Sequence, residues 1–329
     1  MAQQIPNMLV FTATAGYRHD SIDTAKQVLG EQGGNYNVSF SFSEDASLFT
    51  DDGLRVYDGI MFALNSDEIL NTDQQAALAR WIQSGGVIVA VHSGCACLYN
   101  DSAFNQSVGA LFDYHPMIQS ATFTRLNTTH PATSSLPDRW TYDEEVYYFR
   151  SDPRSNGAVV LLSVDESSYN DDGSSSGSYP SQGDPHPIAW YIESPLSAQP
   201  LLSGAAKAGR SFTTSLGHLN STWQNQTFID HLMGGVTWAL EGASTLAYGV
   251  GIIGNGSESS SLASPTSSSP SSTSNSIGSS SKVASSTSNS APSSSGSTTS
   301  WGEQTYILNR QSLGLTLVVG VLIGIWTFL

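Results

Sequence analysis

Histidine is the residue type whose placement in this sequence points most directly to chemistry. His19, His92 and His218 each follow a short apolar stretch that is typical of a buried β-strand. The carboxyl ends of parallel strands meet at one edge of a sheet, so we expect these side chains to lie together there. Three neutral imidazoles, or two with a carboxylate, can hold a divalent metal such as zinc and leave a position open for water. Imidazoles also suit metal-free general acid–base catalysis, and histidines that only cap helices are a third interpretation.

A second candidate region is DEEVYYFR, residues 143–150, which combines carboxylates, aromatic rings and an arginine. Sugar sites use carboxylates as acceptors for hydroxyl groups and aromatic faces as apolar surfaces for the ring. Glu145 is the strongest candidate to assist the histidines, and Glu145 or Glu144 could complete a metal site. A solvated strand with ordinary aromatic packing is the alternative. The candidates for substrate binding are Tyr17, Arg18, Ser93, Asp113, His115, Glu144, Tyr147 and Arg150.

The two cysteines, Cys95 and Cys97, are predicted to be packing residues. Residues this close in sequence would form a strained disulfide, and a C-x-C pair is too small a set for a zinc site. The competing interpretation is a cysteine hydrolase, in which a helix N-terminus makes the Cys95 thiol acidic. His130 and His186 precede prolines and are predicted to be structural. His231 is predicted to be a surface or packing residue of the last helix.

The elements that must position these side chains alternate along the chain. Apolar runs predict strands at residues 8–14, 37–43, 57–64, 87–91, 158–164, 187–192 and 210–216. Polar and apolar spacing predicts helices at residues 21–30, 72–86 and 226–242. Thr72 and Gln75 fit a capping box at the start of the second helix. This order predicts an α/β fold, a doubly wound and mostly parallel sheet with helices on both faces.

The composition changes along the chain and predicts a folded domain followed by two different segments. Residues 5–245 are enough for one α/β domain with a substantial core. Residues 246–311 are a Ser/Thr-rich tract that buries too little apolar surface to fold, and we predict a disordered linker or stalk. Residues 312–329 form a hydrophobic end, predicted to be a GPI-anchor signal or a transmembrane helix.

The expected location is a membrane, with the domain at the cell surface or in the secretory pathway. Asn-x-Ser/Thr motifs agree with this and mark candidate glycosylation sites at Asn37, Asn100, Asn105, Asn127, Asn220, Asn225 and Asn255. The first residues carry no signal-peptide pattern, so a cytosol-facing, tail-anchored form is the alternative. The excess of 28 acidic over 12 basic residues argues against a nucleic-acid partner. The expected partner is a small-molecule carbohydrate, and the sequence leaves the oligomeric state open.

Several motifs, taken together, resemble the ThuA-like (trehalose utilisation) family. They are TAGYRHDSI (14–22), SEDASLFT (43–50), GGVIVAVHS (85–93), FDYHP (112–116), HPATSSLPDRW (130–140), DEEVYYFRSDPR (143–154), HPIAW (186–190) and LGH (216–218). The resemblance spans residues 5–242 and implies the class I glutamine amidotransferase-like fold, which is flavodoxin-like. It also implies an association with disaccharide and keto-sugar metabolism.

The same resemblance bears on the turn that follows residues 87–91. In the amidotransferase-like fold this turn carries a nucleophilic cysteine, whereas here it carries His92, and His218 follows its strand as the triad histidine does. Glutamine amidotransferase activity is therefore not expected. We expect a carbohydrate-active hydrolase or isomerase, with His92 and His218 as acid–base groups or metal ligands and with Glu145 and His19 assisting. The alternative is a non-catalytic carbohydrate-binding surface module.

Overall fold

The computed structural model describes residues 4–243 and residue 252. The strands are β1 (Asn7–Phe11), β2 (Ser39–Ser43), β3 (Gly59–Ala63), β4 (Val87–Val91), β5 (Phe112–Tyr114), β6 (Gln119–Arg125), β7 (Arg139–Glu144), β8 (Tyr148–Phe149), β9 (Val159–Val164), β10 (Pro187–Ile192) and β11 (Ser211–Thr214). The helices are α1 (Ile22–Gln32), α2 (Asp51–Leu54), α3 (Thr72–Gln83), α4 (Ser102–Val108), α5 (Asn220–Trp223) and α6 (Gln226–Glu241).

The main sheet has a parallel half and an antiparallel half. Its strands lie in the order β2-β1-β3-β4-β11-β10-β9-β6-β7. The pairings from β2 to β11 are parallel, and those from β11 to β7 are antiparallel. Strands β5 and β8 form a separate two-stranded sheet. The predicted α/β fold is confirmed and its central strands are parallel, whereas the antiparallel half was not predicted from the sequence.

Helices cover both faces of the parallel half because its strands are apolar on both faces. Successive side chains of a strand point to opposite faces. On β1, Met8 and Val10 belong to one buried cluster, which includes residues of α1 and α6. Leu9 and Phe11 belong to the other buried cluster, which includes residues of α2, α3 and α4. The central strands are therefore enclosed between two layers of helices.

Helix α3 begins with a capping box, but one residue earlier than predicted. The Asn71 side chain accepts a hydrogen bond from the backbone N–H of Gln74 at 3.0 Å, and Gln74 Oε1 accepts one from the Asn71 N–H at 2.8 Å. The prediction of Thr72 and Gln75 for this box was wrong. Asparagine ranks above threonine as an N-cap residue, and Thr72 becomes the first helical residue instead.

The strand directions bring several strand ends to one edge of the sheet. Each antiparallel pairing reverses the chain, so the four reversals between β11 and β7 return β7 to the direction of β4. The carboxyl ends of β1, β3, β4, β11 and β7 therefore face the same way. In the register of β4 and β11, Val91 lies opposite Thr214, so the segments that follow these strands start side by side.

The predicted membrane and stalk segments fall outside this description. Within the described residues, no helix has the length and apolar character needed to cross a bilayer. The predicted hydrophobic end at residues 312–329 and the Ser/Thr-rich tract, apart from residue 252, lie outside the described residues, as does Asn255. Asn37, Asn100 and Asn220 are exposed, and Asn105, Asn127 and Asn225 are half-buried. Their glycosylation stays a prediction.

Candidate functional site

His92 occupies a tight turn at the carboxyl end of β4. Its φ of 54° lies in the left-handed region that residues other than glycine seldom adopt, and a short 3₁₀ helix, His92–Cys95, follows. Gly94 permits this turn, because a Cβ there would lie 2.0 Å from the carbonyl oxygen of Phe62 on β3. The His92 imidazole is completely buried. A backbone conformation that the surroundings must enforce is typical of functional sites.

Three further side chains, from separate parts of the chain, converge on His92. His92 Nε2 lies 3.2 Å from His19 Nε2 and 3.2 Å from His218 Nδ1. Glu145 Oε2 lies 3.4 Å from His92 Nε2 and 3.0 Å from His218 Nδ1. One ligand atom from each of the four residues lies within 4.8 Å of the other three. The structure thus brings together the four residues that the sequence analysis named for catalysis.

His92 directs an unprotonated nitrogen at this cluster. Its Nδ1 lies 2.8 Å from the carbonyl oxygen of Ser215, which only accepts hydrogen bonds, so Nδ1 carries the proton. In the neutral imidazole Nε2 then carries the lone pair, and the hydroxyl oxygen of Tyr147 lies 2.9 Å from this nitrogen. A histidine that ligates a metal commonly donates its other N–H to a backbone carbonyl in this way.

Burial and charge determine which groups of the cluster are protonated. Burial, reinforced by the neighbouring imidazoles, lowers the pKa of His19 to about 3. Burial alone would lower the pKa of His218, but its hydrogen bond to Glu145 and the nearby carboxylates outweigh burial and raise it. Burial alone would raise the pKa of Glu145, but the hydrogen bond from His218 and the neighbouring imidazoles outweigh burial and lower it. At neutral pH His19 is therefore neutral and Glu145 is ionised, the forms in which these groups bind metals.

Glu144 holds the backbone segment that carries His218. Its buried carboxylate accepts hydrogen bonds from the backbone N–H groups of Gly217 at 3.0 Å and His218 at 3.1 Å. It also accepts a hydrogen bond from Thr222 Oγ1 at 3.0 Å. Glu144, a predicted substrate-binding residue, is not among the residues that line the cavity, because its carboxylate is turned toward this segment. It fixes the backbone that carries His218.

A cavity of about 440 Å³ opens beside the cluster. Four of the predicted substrate-binding residues line it: Tyr17, Ser93, His115 and Tyr147. His115 Nε2 lies 3.3 Å from Glu145 Oε1, on the opposite side of that carboxylate from the other histidines. Aromatic rings, imidazole nitrogens and a carboxylate therefore face the same space.

Three other predicted substrate-binding residues do not reach this cavity. Arg18 instead forms a pair of hydrogen bonds with Glu44, at 2.9 and 3.1 Å. Asp113 accepts a backbone hydrogen bond from the loop that follows β9. The Arg150 guanidinium stacks on the ring of Tyr99, 3.9 Å from its centroid. Proximity in sequence to a site residue does not fix the direction of a side chain, and the substrate-binding role of these three residues stays a prediction.

The two cysteines are buried packing residues. Both are free and inaccessible to solvent, and their Sγ atoms donate to the carbonyl oxygens of His92 and Gly94 at 3.2 and 3.4 Å. Burial raises the pKa of Cys95 to about 12. The thiolate that a cysteine hydrolase needs is therefore not available at neutral pH.

The remaining histidines bond to the backbone. His130 Nδ1 accepts the N–H of Ala132 at 3.1 Å, within a turn. His186 Nε2 donates to the carbonyl oxygen of Tyr147 at 2.8 Å and so holds the backbone of a cavity residue. His231 is completely buried, and its Nδ1 donates to the carbonyl oxygen of Ala132 at 2.7 Å. The surface position considered for His231 was wrong, and the packing position was right.

Sequence reasoning missed three polar residues of the cavity wall, Ser66, Asp67 and Tyr99. Asp67 follows β3 and Tyr99 lies in the segment after β4, so both come from the edge at which the histidines meet. The usable signal was the polar stretch Asn65-Ser66-Asp67-Glu68 directly after the apolar run of β3.

Comparisons with known proteins identify the family. The sequence profile of the ThuA family, described as trehalose utilisation, matches residues 7–239. A ThuA-like protein from Bacteroides uniformis has 17% identity and a TM-score of 0.56, covering 73% of this chain and 93% of that one. A ThuA-like protein from Parabacteroides merdae has 18% identity and a TM-score of 0.50, covering 73% and 91%. Identities this low show a shared fold alone, and no curated protein matches the chain. The family profile spans well over half of the sequence, and the chain therefore belongs to the ThuA (trehalose utilisation) family.

Proposed function

We propose that this chain is a metal-dependent enzyme that acts on a carbohydrate or keto-sugar derivative. In this proposal His19, His92, His218 and Glu145 hold a divalent metal such as zinc. The observation that carries it is that the ligand atoms of the other three residues lie around the unprotonated His92 Nε2. The separations of 3.2–3.4 Å from that nitrogen are close to the ~3.3 Å edge of a tetrahedron with zinc–nitrogen bonds of about 2.0–2.1 Å. Imidazole nitrogens with one carboxylate form a donor set that suits zinc.

The proposed chemistry is hydrolysis, isomerisation or elimination at a polarised carbon–oxygen bond. A bound divalent ion supplies Lewis-acid polarisation of a substrate oxygen. His115 supplies the proton. Its Nδ1 lies 2.9 Å from the carbonyl oxygen of Pro116, and its Nε2 lies 3.3 Å from Glu145 Oε1. Both partners accept hydrogen bonds, so either ring nitrogen of His115 can carry the hydrogen that the imidazole presents at the cavity wall.

The carbohydrate substrate is supported by the cavity wall and by the family. The rings of Tyr17, Tyr99 and Phe112 contribute to the wall, and such rings pack against the C–H face of a sugar. The volume of about 440 Å³ lies within the range of small-molecule sites. The family description names trehalose utilisation, which makes trehalose the first substrate to test.

The metal content of the full chain, purified without chelator, tests the proposal. We expect about one zinc or other divalent ion per chain in the wild type. His92→Asn and His218→Ala should lose it, since each removes an imidazole, and asparagine tolerates the backbone conformation at position 92. His130→Gln, which changes a buried histidine outside the cluster, should retain it. A wild type that binds no divalent metal, even after zinc is added, contradicts the metal-dependent mechanism.

Turnover separates an enzyme from a carbohydrate-binding module. Trehalose and a panel of keto-sugar glycosides would be incubated with the metal-loaded chain and followed by NMR. An enzyme converts one of them, and His92→Asn abolishes the conversion. A binding module converts none, and His92→Asn keeps its affinity for the sugar.

We also propose the arrangement of the whole chain that its composition favours. The folded domain spans residues 5–245, and the Ser/Thr-rich tract at 246–311 links it to a membrane anchor at residues 312–329. Release of the protein from cells by a phosphatidylinositol-specific phospholipase tests for a GPI anchor. Protein that stays in the membrane after this treatment indicates a retained helix.

A further inference from the structure

Asp67 has an unusual backbone conformation at the cavity wall. Its φ is 59°, in the left-handed region, where aspartate and asparagine are the side-chain-bearing residues best tolerated. Hydrogen bonds on both sides hold it there: its N–H donates to the carbonyl oxygen of Ala96, and its own carbonyl oxygen accepts the N–H of Leu98, each at 3.1 Å. The segment after β4 therefore holds the backbone that carries the Asp67 side chain, which is exposed.

Gly16 leaves the space that the Asp67 carboxylate occupies. A Cβ at position 16 would lie 1.9 Å from Asp67 Oδ2. The N–H of Gly16 donates to Ser66 Oγ at 3.0 Å, which fixes the two loops against each other. Within residues 4–243, the structure gives the Asp67 carboxylate no hydrogen-bond donor and no cation. A carboxylate at the wall of a cavity, with its acceptor positions free, is available to a ligand.

Asp67 places a carboxylate on the cavity wall where no guanidinium or ammonium group of residues 4–243 stands beside it to pair with an anionic ligand. No lysine or arginine of the described residues lines the cavity. Arg18 is paired with Glu44, and Arg150 is stacked on Tyr99. Phosphate and carboxylate groups are recognised by such cations, whereas a carboxylate accepts hydrogen bonds from hydroxyl groups.

We propose that Asp67 binds hydroxyl groups of the substrate and that this substrate is an uncharged sugar, neither phosphorylated nor a sugar acid. The inference rests on the proposed carbohydrate function and deepens it. Asp67 lies outside the cluster of potential metal ligands. Its replacement should therefore change sugar binding and leave metal binding unchanged.

Calorimetric titration of the zinc-loaded full chain tests this inference. The probes are trehalose, glucose and their 6-phosphates. We expect an uncharged sugar to bind the wild type at least about tenfold more tightly than its phosphate. Asp67→Asn keeps a residue that tolerates the left-handed backbone conformation and removes the charge. Its affinity for the uncharged sugar should be at least about tenfold lower than that of the wild type. Gly16→Ala keeps the charge but displaces the carboxylate, and it should weaken binding similarly.

Matched controls keep the outcomes distinct. Glu68→Gln removes the neighbouring carboxylate, which bonds to Asn100 outside the cavity, and should bind sugar as the wild type does. Zinc content and melting temperature should be unchanged in Asp67→Asn. If an uncharged sugar binds equally well to Asp67→Asn and Gly16→Ala, or if the phosphate binds as tightly, this inference is wrong while the proposed function stands. If neither sugar nor phosphate binds the zinc-loaded wild type, the carbohydrate function fails and the inference fails with it.

Discussion

Glu144 holds the backbone of His218 and does not line the cavity. Replacing Glu144 therefore tests how much the position of His218 matters for metal binding, without removing a proposed metal ligand. In Glu144→Gln an amide replaces a carboxylate that accepts three backbone N–H groups, those of Glu145, Gly217 and His218, and the hydroxyl of Thr222. The amide keeps one acceptor oxygen and turns an NH₂ group toward a donor. We therefore expect the free energy of unfolding to fall by about 2 kcal/mol, measured by urea denaturation. The loosened segment around His218 should also weaken zinc binding about 10–100-fold.

The control for this prediction is the preceding residue. Asp143 is exposed, so Asp143→Asn should change neither the free energy of unfolding nor zinc affinity. If Glu144→Gln loses stability but binds zinc as tightly as the wild type, Glu144 is a structural residue only, and its proposed effect on the site is refuted.

The sequence predicts which residues follow a strand, but it does not predict the direction of each side chain. His19, His92 and His218 could be expected to meet because each follows a strand, and strand direction is a property of the fold. Arg18 and Arg150 were expected at the same place only because they adjoin site residues. The pairing of Arg18 with Glu44 and the stacking of Arg150 on Tyr99 depend on distant segments, which no local pattern reveals.

The turn after β4 carries His92 and packs against β3 at Gly94, so a change in this turn should affect both the sheet and the candidate metal site. In Gly94→Ala the added Cβ would lie 2.0 Å from the carbonyl oxygen of Phe62, a backbone atom of β3 that cannot rotate away. Either β3 and β4 separate or the turn shifts and moves His92. We expect the free energy of unfolding to fall by about 1–3 kcal/mol and zinc binding to weaken in the same variant. Thermal denaturation with and without zinc measures both effects.

Gly34→Ala is the matched control for this element. Gly34 lies in a short 3₁₀ helix, and nothing lies within 4 Å of the Cβ it would gain. Its stability should stay the same or rise by about 0.5 kcal/mol, because alanine restricts the unfolded chain. Equal melting temperatures for Gly94→Ala and the wild type would show that the turn relaxes freely.

The two halves of the sheet differ in how well the sequence predicts them. β4 and β10 have the predicted bounds because continuous apolar runs mark strands that are buried on both faces. β6 and β7 were missed because they lie at the antiparallel end of the sheet and mix exposed and buried residues. The direction of β7, which brings Glu145 to the histidines, therefore followed only from the structure.

The stability of the whole domain should fall in mild acid, because it buries neutral histidines. Burial lowers the pKa of His231 to about 4 in the folded chain, whereas an exposed histidine has a pKa of about 6.5. As the pH falls below that value, the unfolded chain binds a proton that the folded chain does not bind until the pH is near 4. The stabilising contribution of neutral His231 is therefore fully present when the pH is above the pKa in the unfolded chain. It is lost as the pH falls toward the pKa in the folded chain. His231 alone accounts for about 2 kcal/mol of loss between pH 7.5 and pH 5.

Urea denaturation at these two pH values isolates this contribution. His231→Leu should be less stable than the wild type at pH 7.5, but it should lose about 2 kcal/mol less on going to pH 5. Thr214→Val removes the hydroxyl that lies 3.1 Å from His231 Nε2 and keeps the titrating ring, so it should retain the pH dependence of the wild type. Burial also lowers the pKa of His130 to about 4, so part of the acid sensitivity persists in both variants. An equal loss in His231→Leu and the wild type would mean that His231 does not enter the folded core as a neutral group, and that its bonds to Ala132 and Thr214 form around an imidazolium instead.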